Sequence, residues 1–218
     1  MTTKKQQKNA VYFLDQISHR FPDAKIELKY DEKDPWQLLV AVVLSAQSTD
    51  VGVNKVTPRL FARFKNVQAF AKAESGQVEP FIQSLGFFRN KAKSLVAAAR
   101  KVVADFQGAV PGDREKLEQI PGVGPKSAAV IMANAFGEPA IAVDTHVGRI
   151  ARRLGLTKQK DPSKVEIELE KLLPKARWIE AHHAFIWHGR RICVARKPCC
   201  TQCPVTERCP RVGVTVFA

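Results

Sequence analysis

The sequence predicts an all-α protein, and three observations lead to this fold class. Apolar residues recur at three- and four-residue spacing, which is the period of one helix face. Asp-Pro pairs stand at Asp34–Pro35 and Asp161–Pro162, where an N-cap residue precedes proline at the first helical position. No alternating run of apolar and polar residues is long enough to supply a sheet. The 218 residues suffice for one large domain or two small ones.

The helices are predicted in chain order from their start and stop signals. The basic start, MTTKKQQKN, reads as a frayed end. The first Asp-Pro pair opens DPWQLLVAVVLSAQ, and a Ser-Thr-Asp cluster begins the next helix, STDVGVNKVTPRLFARF. The helix RNKAKSLVAAARKVVADF ends at Gly108, and its predicted buried face consists of Ala92, Leu95, Val96, Ala99, Val102, Val103 and Phe106. The second Asp-Pro pair opens DPSKVEIELEKLL.

The charge of the chain indicates a polyanionic partner. Lys and Arg number 35 against 21 acidic residues, which gives a formal net charge of +14. Nucleic acid is the first candidate partner for such a chain, and a merely well-solvated surface is the alternative. The sequence contains neither a signal peptide nor an apolar run near the roughly 18 residues that a membrane span needs. We therefore expect a soluble, cytoplasmic protein without a membrane partner.

The segment LEQIPGVGPKSAAVIM interrupts a helical pattern with a narrow turn. Pro121 fixes one backbone dihedral of the turn, while Gly122 and Gly124 permit backbone geometries that side chains forbid. Two short helices flank the turn, with an N-cap at Asp113 and apolar positions at Leu117, Ile120, Val130, Ile131 and Ala135. The bare amides of the glycines and of the second helix's first turn suit a DNA phosphate. This is the helix–hairpin–helix pattern, which binds a DNA backbone without reading bases; an ordinary tight turn is the alternative.

Two residues beyond the turn are candidates for catalysis. Lys126 lies at a helix N-terminus, where the helix dipole and the partial burial that we expect disfavour an ammonium and favour the free amine. A free amine can form a Schiff base with a sugar aldehyde carbon, whereas the alternative is that Lys126 contacts phosphate as a point charge. Asp144 follows an apolar stretch. Its carboxylate, near such an amine, could stabilise a cationic sugar; the alternative is a plain helix N-cap.

All five cysteines lie between Cys193 and Cys209, and this clustering favours a metal site over a disulfide framework. Four of them, Cys193, Cys200, Cys203 and Cys209, have the spacing C-x6-C-x2-C-x5-C. Zinc is one candidate metal, but four-cysteine zinc sites usually pair two C-x2-C knuckles and this chain has one. Cys199 is the spare thiol; it could replace Cys200 as a ligand, but Cys200 preserves the knuckle with Cys203.

The motifs LSAQSTD, LGFFRNKA, IPGVGPKSA and IAVDTHVGRI, followed by the cysteine array, resemble the endonuclease III family of bifunctional DNA glycosylases. The resemblance extends from about Trp36 to Pro210. It implies a two-lobed helix–hairpin–helix glycosylase fold, with a six-helix domain over residues 28–138 that ends with the hairpin. A helical domain of residues 1–27 and 139–218 would carry a [4Fe–4S] cluster on the four spaced cysteines.

The same resemblance implies roles for single residues. Lys126 matches the catalytic nucleophile and Asp144 the catalytic carboxylate. Gln47 matches the residue that fills the space left by an extruded base, and Phe87 matches the wedge on the opposite strand. His146 lies near the catalytic pair in the family, either in a role of its own or as a structural histidine.

Further expectations concern the DNA contacts. Arg196 and Lys197, in the loop between the first two cysteine ligands, are expected to meet phosphate. The chain departs from the family at two positions, with Pro125 where members often have Arg and Phe87 where they often have Leu. Pro125 removes a cation and an amide donor beside Lys126, and Phe87 enlarges the apolar wedge.

The resemblance as a whole implies a base excision repair enzyme. We expect a monomer that removes oxidised or otherwise damaged pyrimidines from double-stranded DNA. It would also cleave abasic sites by β-elimination through a lysine Schiff base. The alternatives are a monofunctional adenine-type glycosylase, which lacks the nucleophilic lysine, and a non-catalytic DNA-binding module.

Overall fold

The computed structural model describes residues 3–218, and the regular structure in that range is entirely helical. The predicted all-α class is confirmed. The α-helices are α1 (Lys4–Arg20), α2 (Pro35–Ser45), α3 (Asp50–Arg63), α4 (Val67–Ala71), α5 (Ser75–Ile82), α6 (Phe88–Asp105), α7 (Arg114–Glu118), α8 (Pro125–Ala135), α9 (Thr145–Arg153), α10 (Pro162–Leu172) and α11 (Trp178–Arg191). Short 3₁₀ turns lie at Lys175–Arg177 and Cys200–Gln202. No helix within the described range is long and apolar enough to cross a membrane.

The chain separates into two compact units. One unit is Glu27–Gly137, and the other combines the chain up to Ile26 with Glu138–Ala218. The first unit contains α2 to α8, and counting the five-residue α4 separately gives seven helices where the resemblance implies six.

Helix α2 forms the centre of the Glu27–Gly137 unit. Every residue from Leu38 to Leu44 is buried, so this helix is covered on all sides, as its continuous apolar sequence requires. Its start is the predicted one, because the Asp34 carboxylate accepts a hydrogen bond from the Trp36 amide at 3.0 Å. The neighbouring helix α3 begins in the same way, with the Thr49 hydroxyl accepting from the Gly52 amide at 3.1 Å.

The buried face of α6 differs from the predicted one at two positions. Ala92, Leu95, Val96, Ala99 and Val102 are buried as expected, but Val103 is 37% exposed and Phe106 is only partly buried. Their places are taken by Ala98 and by Lys91, which is 6% exposed. The spacing of apolar residues admits two overlapping stripes on this helix, and packing selects the stripe that passes through Lys91.

The second unit has a core of its own. Residues of α1, α9, α10 and α11 pack together, with Phe13, Leu14 and Ile17 supplied by α1. The prediction of a frayed start is wrong for the described part of the first segment. Thr3 caps α1 and forms a capping box with Gln6, which supplies the amide partners that hold the first turn. Met1 and Thr2 lie outside the described residues.

Candidate active site

The hairpin is built from α7, a tight turn and α8. The Asp113 carboxylate caps α7 by accepting from the Lys116 amide at 2.9 Å, as predicted. Gly122 has φ +85°, and a Cβ there would lie 3.2 Å from the Cβ of Ser94, so glycine meets both a backbone and a space requirement. Neither requirement exists at Gly124, because its φ is −96° and a Cβ there would have no atom within 4 Å. The expectation that Gly124 needs a geometry forbidden to side chains is therefore wrong.

The N-terminus of α8 presents free backbone donors. Gly124 is the N-cap without a side-chain hydrogen bond, and Pro125 at the first helical position has no amide hydrogen. Within residues 3–218 the amides of Gly124, Lys126 and Ser127 donate no hydrogen bond. Three donors at the positive end of a helix make this turn suited to an anion.

The side chain of Lys126 is exposed. The partial burial expected from the sequence is therefore absent, because only the apolar positions of α8 turn inward, among them Ala128, Ala129 and Ile131. No ion pair of Lys126 is found within the described residues. The amine is free to meet a ligand that approaches the mouth of the hairpin.

Gln47 and Phe87 lie in two turns of the same unit, and both have left-handed backbones. Their φ angles are 52° and 56°, values that residues other than glycine rarely adopt. Phe87 is 63% exposed, so an aromatic ring of this size faces solvent. A Cβ at the neighbouring Gly86 would lie 3.8 Å from the Gln47 carbonyl oxygen, so the two turns are adjacent.

Asp144 precedes α9 and follows a buried segment, residues 141–143. Its Oδ1 atom accepts from the amides of His146 and Val147, each at 2.8 Å, which makes Asp144 the predicted N-cap. No hydrogen bond or ion pair of the Oδ2 atom is found among the described residues. The carboxylate is partly exposed, so one oxygen holds the helix and the other is available.

His146 stands beside the cap. Its Nδ1 atom lies 3.1 Å from the Nη2 atom of Arg149, and because a guanidinium only donates, Nδ1 is the acceptor. Burial lowers the pKa of His146 despite the opposing effect of the Asp144 charge. Gly189 of α11 lets the helices approach closely, since a Cβ there would lie 3.0 Å from that of His146.

Two arginines of α9 bind the loop that begins at Cys193. Arg149 donates to the Cys193 carbonyl at 3.1 Å and to the Gly189 carbonyl at 2.8 Å. Arg153 donates to the successive carbonyl oxygens of Cys193, Val194 and Ala195, at 3.3, 2.7 and 2.8 Å. The helix that Asp144 caps is thus tied to this loop. Two exposed cations, Arg196 and Lys197, follow directly, and Lys197 has φ 49°.

The five cysteines line one pocket, and none forms a disulfide. The pocket holds about 390 Å³ of empty space, part of it open to solvent. Burial raises the pKa of Cys203 to about 11 and also raises that of Cys200 and of Cys209. Buried thiols of this kind become thiolates only beside positive charge. Arg153 supplies positive charge here, because its Nη1 atom lies 3.3 Å from the Cys193 sulfur.

Two side chains that line this pocket each have a buried nitrogen without a protein partner in the described chain. The buried Nδ1 atom of His188 and the Nε atom of Arg211 have no hydrogen bond within the described residues, and both side chains line the pocket. The Nε2 atom of His188 lies 3.6 Å from the Cys203 sulfur. Among residues 3–218, no group of three or more His, Cys, Asp and Glu side chains converges as the ligands of a single metal ion would.

Sequence reasoning missed Lys91, Arg149, Arg153 and His188. A signal existed for Lys91, because it lies four and eleven residues before Leu95 and Val102 on the apolar stripe of α6. The arginines carried a weaker signal, their four-residue spacing on one face of α9. Their partners lie about 40 residues away in sequence, beyond any local pattern.

Comparison with known proteins places this geometry among DNA repair proteins. Residues 40–175 match the family described as HhH-GPD superfamily base excision DNA repair protein. The chain is 46% identical to endonuclease III of Synechocystis sp., over 96% of this chain and 94% of that protein. It is 42% identical to endonuclease III of Bacillus subtilis, over 93% and 92% of the two chains.

Solved structures show the same likeness. One described as a trapped endonuclease III–DNA covalent intermediate, in an estranged-adenine complex, aligns with a TM-score of 0.90 and 42% identity over 97% of both chains. A thermostable thymine-DNA glycosylase aligns with a TM-score of 0.84 at 24% identity, over 94% of this chain and 96% of that one. At that identity the second likeness concerns the fold alone.

Proposed function

Because the chain belongs to the endonuclease III family of HhH-GPD base excision DNA repair proteins, we propose that it excises damaged pyrimidines from double-stranded DNA and cleaves the resulting abasic sites. The observation that carries this proposal is the exposed Lys126 amine at the donor-rich start of α8. The trapped covalent DNA intermediate of a similar enzyme supports it. A covalent intermediate requires a nucleophile, and an amine next to a phosphate-binding turn supplies one.

The hairpin is the proposed grip on the DNA backbone. The free amides of Gly124, Lys126 and Ser127 would donate to one phosphate, and the helix dipole favours its negative charge. Pro125 supplies no amide, so the contact uses the amides on either side of it. A contact of this kind fixes register without reading a base.

Lys126 is the proposed nucleophile. Its unprotonated Nζ atom bonds to C1′ of the extruded nucleotide while the bond from C1′ to the base breaks and the base leaves with the electron pair and a proton. The nitrogen lone pair then forms the double bond to C1′ as the C1′–O4′ bond of the sugar ring breaks, and O4′ takes a proton from water, which gives a protonated Schiff base with Nζ. The iminium acidifies the C2′ hydrogen, whose removal expels the 3′ phosphate by β-elimination. Lys126 is exposed in the protein alone, so its amine can reach an extruded nucleotide.

Asp144 is the proposed catalytic carboxylate. Positive charge develops on the sugar as the base departs, and a fixed negative charge stabilises it. The cap geometry suits this role, because the bonds from His146 and Val147 hold the carboxylate rigid through Oδ1. Oδ2 remains for the reaction.

Gln47 and Phe87 are the proposed residues that occupy the gap left by the extruded nucleotide. Left-handed backbones at both positions support this role, since strain of this kind is concentrated at functional sites. The exposed ring of Phe87 is a wedge that stacks between base pairs, which offsets part of the unstacking energy.

The cysteine pocket fits a [4Fe–4S] cluster held by Cys193, Cys200, Cys203 and Cys209. In such a cluster each thiolate binds a different iron, so the sulfurs need not converge as the ligands of one ion do. The guanidinium groups of Arg153 and Arg211, and the Nε2 atom of His188 at 3.6 Å from the Cys203 sulfur, suit sulfur acceptors and a net negative group. When bound, the cluster cross-links the four cysteines. The chain's own contribution is the loop that Arg153 then holds, with Arg196 and Lys197 directed to DNA phosphates.

A lesion panel tests the proposed function. Labelled duplexes carry an oxidised pyrimidine, an adenine mispair, an abasic site or no damage, and products are resolved by length. We expect base release and strand cleavage at the oxidised pyrimidine, and cleavage at the abasic site. Base release confined to the adenine mispair, seen as a strand break only after alkali treatment, would instead indicate the monofunctional adenine-type activity, and binding without base release or cleavage a non-catalytic module.

A further inference from the structure

A buried lysine joins the two turns that carry Gln47 and Phe87. The Nζ atom of Lys91 donates to the Oγ atom of Ser48 at 2.7 Å. Lys91 is 6% exposed, and among residues 3–218 it is the only buried lysine or arginine. Both residues belong to the Glu27–Gly137 unit, so the contact lies within one compact body.

The surroundings of Lys91 do not compensate for its charge. Its hydrogen-bond partner is a neutral hydroxyl, and no ion pair with a carboxylate is found for it in the described residues. Burial accordingly lowers the pKa of Lys91. A leucine or methionine at this position of the apolar stripe would avoid that cost, so packing of α6 does not account for a lysine.

Each end of the contact lies next to a strained backbone. Ser48 directly follows Gln47, with φ 52°, and its own amide donates to the Ser45 carbonyl at 3.0 Å. At the other end, the Lys91 amide donates to the carbonyl of Phe87, with φ 56°, at 3.0 Å. The ammonium–hydroxyl bond thus spans 43 residues of sequence to connect the two left-handed positions.

We propose that Lys91 is a positioning residue for base extrusion, which holds the Gln47 turn against the Phe87 turn so that both side chains enter DNA in a fixed relation. The inference rests on the proposed function, in which these two side chains occupy the gap. Two turns that are already joined lose less conformational entropy on insertion than two independent ones. Lys91 itself does not touch the reacting atoms, and its effect appears in the step that removes the base from the stack.

The test compares two substrates that differ in the cost of extrusion. Thymine glycol, an oxidised pyrimidine, is placed opposite adenine in one duplex and in an unpaired bubble in the other, where little unstacking remains to be done. Single-turnover base release is measured for the wild type and for Lys91→Met. We expect about a tenfold loss on the paired duplex, the equivalent of one hydrogen bond to a charged group, and less than about a twofold loss in the bubble.

Ser48→Ala removes the other partner and keeps the test valid if Lys91→Met does not fold. It should give the same selective loss, and the double variant should lose no more than Lys91→Met alone, because both changes break one contact. Lys93→Met is the matched control, since it removes an exposed charge from the same helix and should affect both duplexes alike. Thermal unfolding is followed for every variant.

The outcomes separate this inference from the proposed function. A wild type that releases base from neither duplex refutes the proposed function. A wild type that is active, with variants that lose equal activity on both duplexes or none on either, refutes the positioning role of Lys91. Selective loss on the paired duplex supports it, because a general defect of folding or of DNA binding would affect both substrates.

Discussion

The Oδ1 atom of Asp144 accepts the amide hydrogen of Val147 at 2.8 Å, and the Oδ2 atom has no partner in the described chain. The alternatives that the sequence left open for Asp144 are therefore compatible. One oxygen caps α9, and the other is available for a cationic sugar. The cap also fixes the direction of the carboxylate, which a flexible surface aspartate would lack.

Asp144→Asn should separate these two roles. Asparagine is as good an N-cap as aspartate, so the midpoint of thermal unfolding should change little. Loss of the negative charge should lower single-turnover base excision by about a hundredfold or more. Asp161→Asn is the matched control, because Asp161 caps α10 by accepting from the Lys164 amide at 3.0 Å. Excision at the wild-type rate by Asp144→Asn would show that the catalytic assignment is wrong, whereas loss of the fold alone would support the capping role.

The helices could be predicted from the sequence because the signals that start and end them are local. Three predicted caps each accept a hydrogen bond from an amide two or three residues ahead: Asp34, Asp113 and Asp161. Such caps can be predicted from a few neighbouring residues. The exposure of Val103 and the burial of Lys91 could not be predicted, because they depend on which neighbouring elements cover α6. Tertiary packing, not periodicity, selects between two overlapping stripes.

The sequence predicted one feature of the site's geometry, the common location of the thiols, and did not predict its backbone conformations. The cysteine spacing placed the thiols in one pocket correctly, since short loops keep them close. The left-handed backbones of Gln47, Phe87 and Lys197 carry no sequence signal, because none is glycine or asparagine. The bonds from Arg153 to the cysteine loop join positions about 40 residues apart, which no local rule predicts.

Arg196 and Lys197 should each contribute one phosphate contact. Removing either charge should reduce the slope of log affinity against log salt by about one. For Lys197 the better variant is Asn, because φ 49° is a conformation that asparagine tolerates and alanine does not. Lys171→Ala, an exposed lysine on α10, serves as the control. An unchanged slope in Arg196→Ala or Lys197→Asn would remove that residue from the interface.

The purified protein should contain about four irons per chain and absorb broadly in the visible range. Cys200→Ser should lose the colour, while Cys199→Ser should keep it. Cys203→Ser should lose it as well and weaken DNA binding, because the loop then lacks a cross-link. The reverse behaviour of the first two variants would make Cys199 the ligand. Stoichiometric zinc without iron, in protein prepared anaerobically, would contradict the cluster.

The free energy of unfolding should decrease as the pH is lowered beyond about 6.5, partly because of His183. Burial lowers the pKa of this histidine to about 4, so between those values the unfolded chain binds a proton that the folded chain does not. Stability is complete above the unfolded pKa and declines as pH falls toward the folded one, by about 3 kcal/mol at most from this residue. Denaturant unfolding from pH 7.5 to 4.5 measures the decline.

The variant His183→Gln should reduce that slope, since glutamine does not titrate. His19→Gln, which changes an exposed histidine of α1, should leave it as in the wild type. Equal slopes in the wild type and His183→Gln would show that His183 takes up its proton in the folded chain as easily as in the unfolded one.

Covalent trapping tests the central claim, that Lys126 is the nucleophile, most directly. Borohydride reduces a Schiff base to a stable amine, so the wild type incubated with an abasic-site duplex should yield a protein–DNA adduct, and peptide mapping should find the adduct on Lys126. Lys126→Ala should bind the duplex through the backbone amides of the hairpin, which the change retains, and should form no adduct. An adduct formed by Lys126→Ala at the wild-type rate, or mapped to another residue in the wild type, would contradict the account.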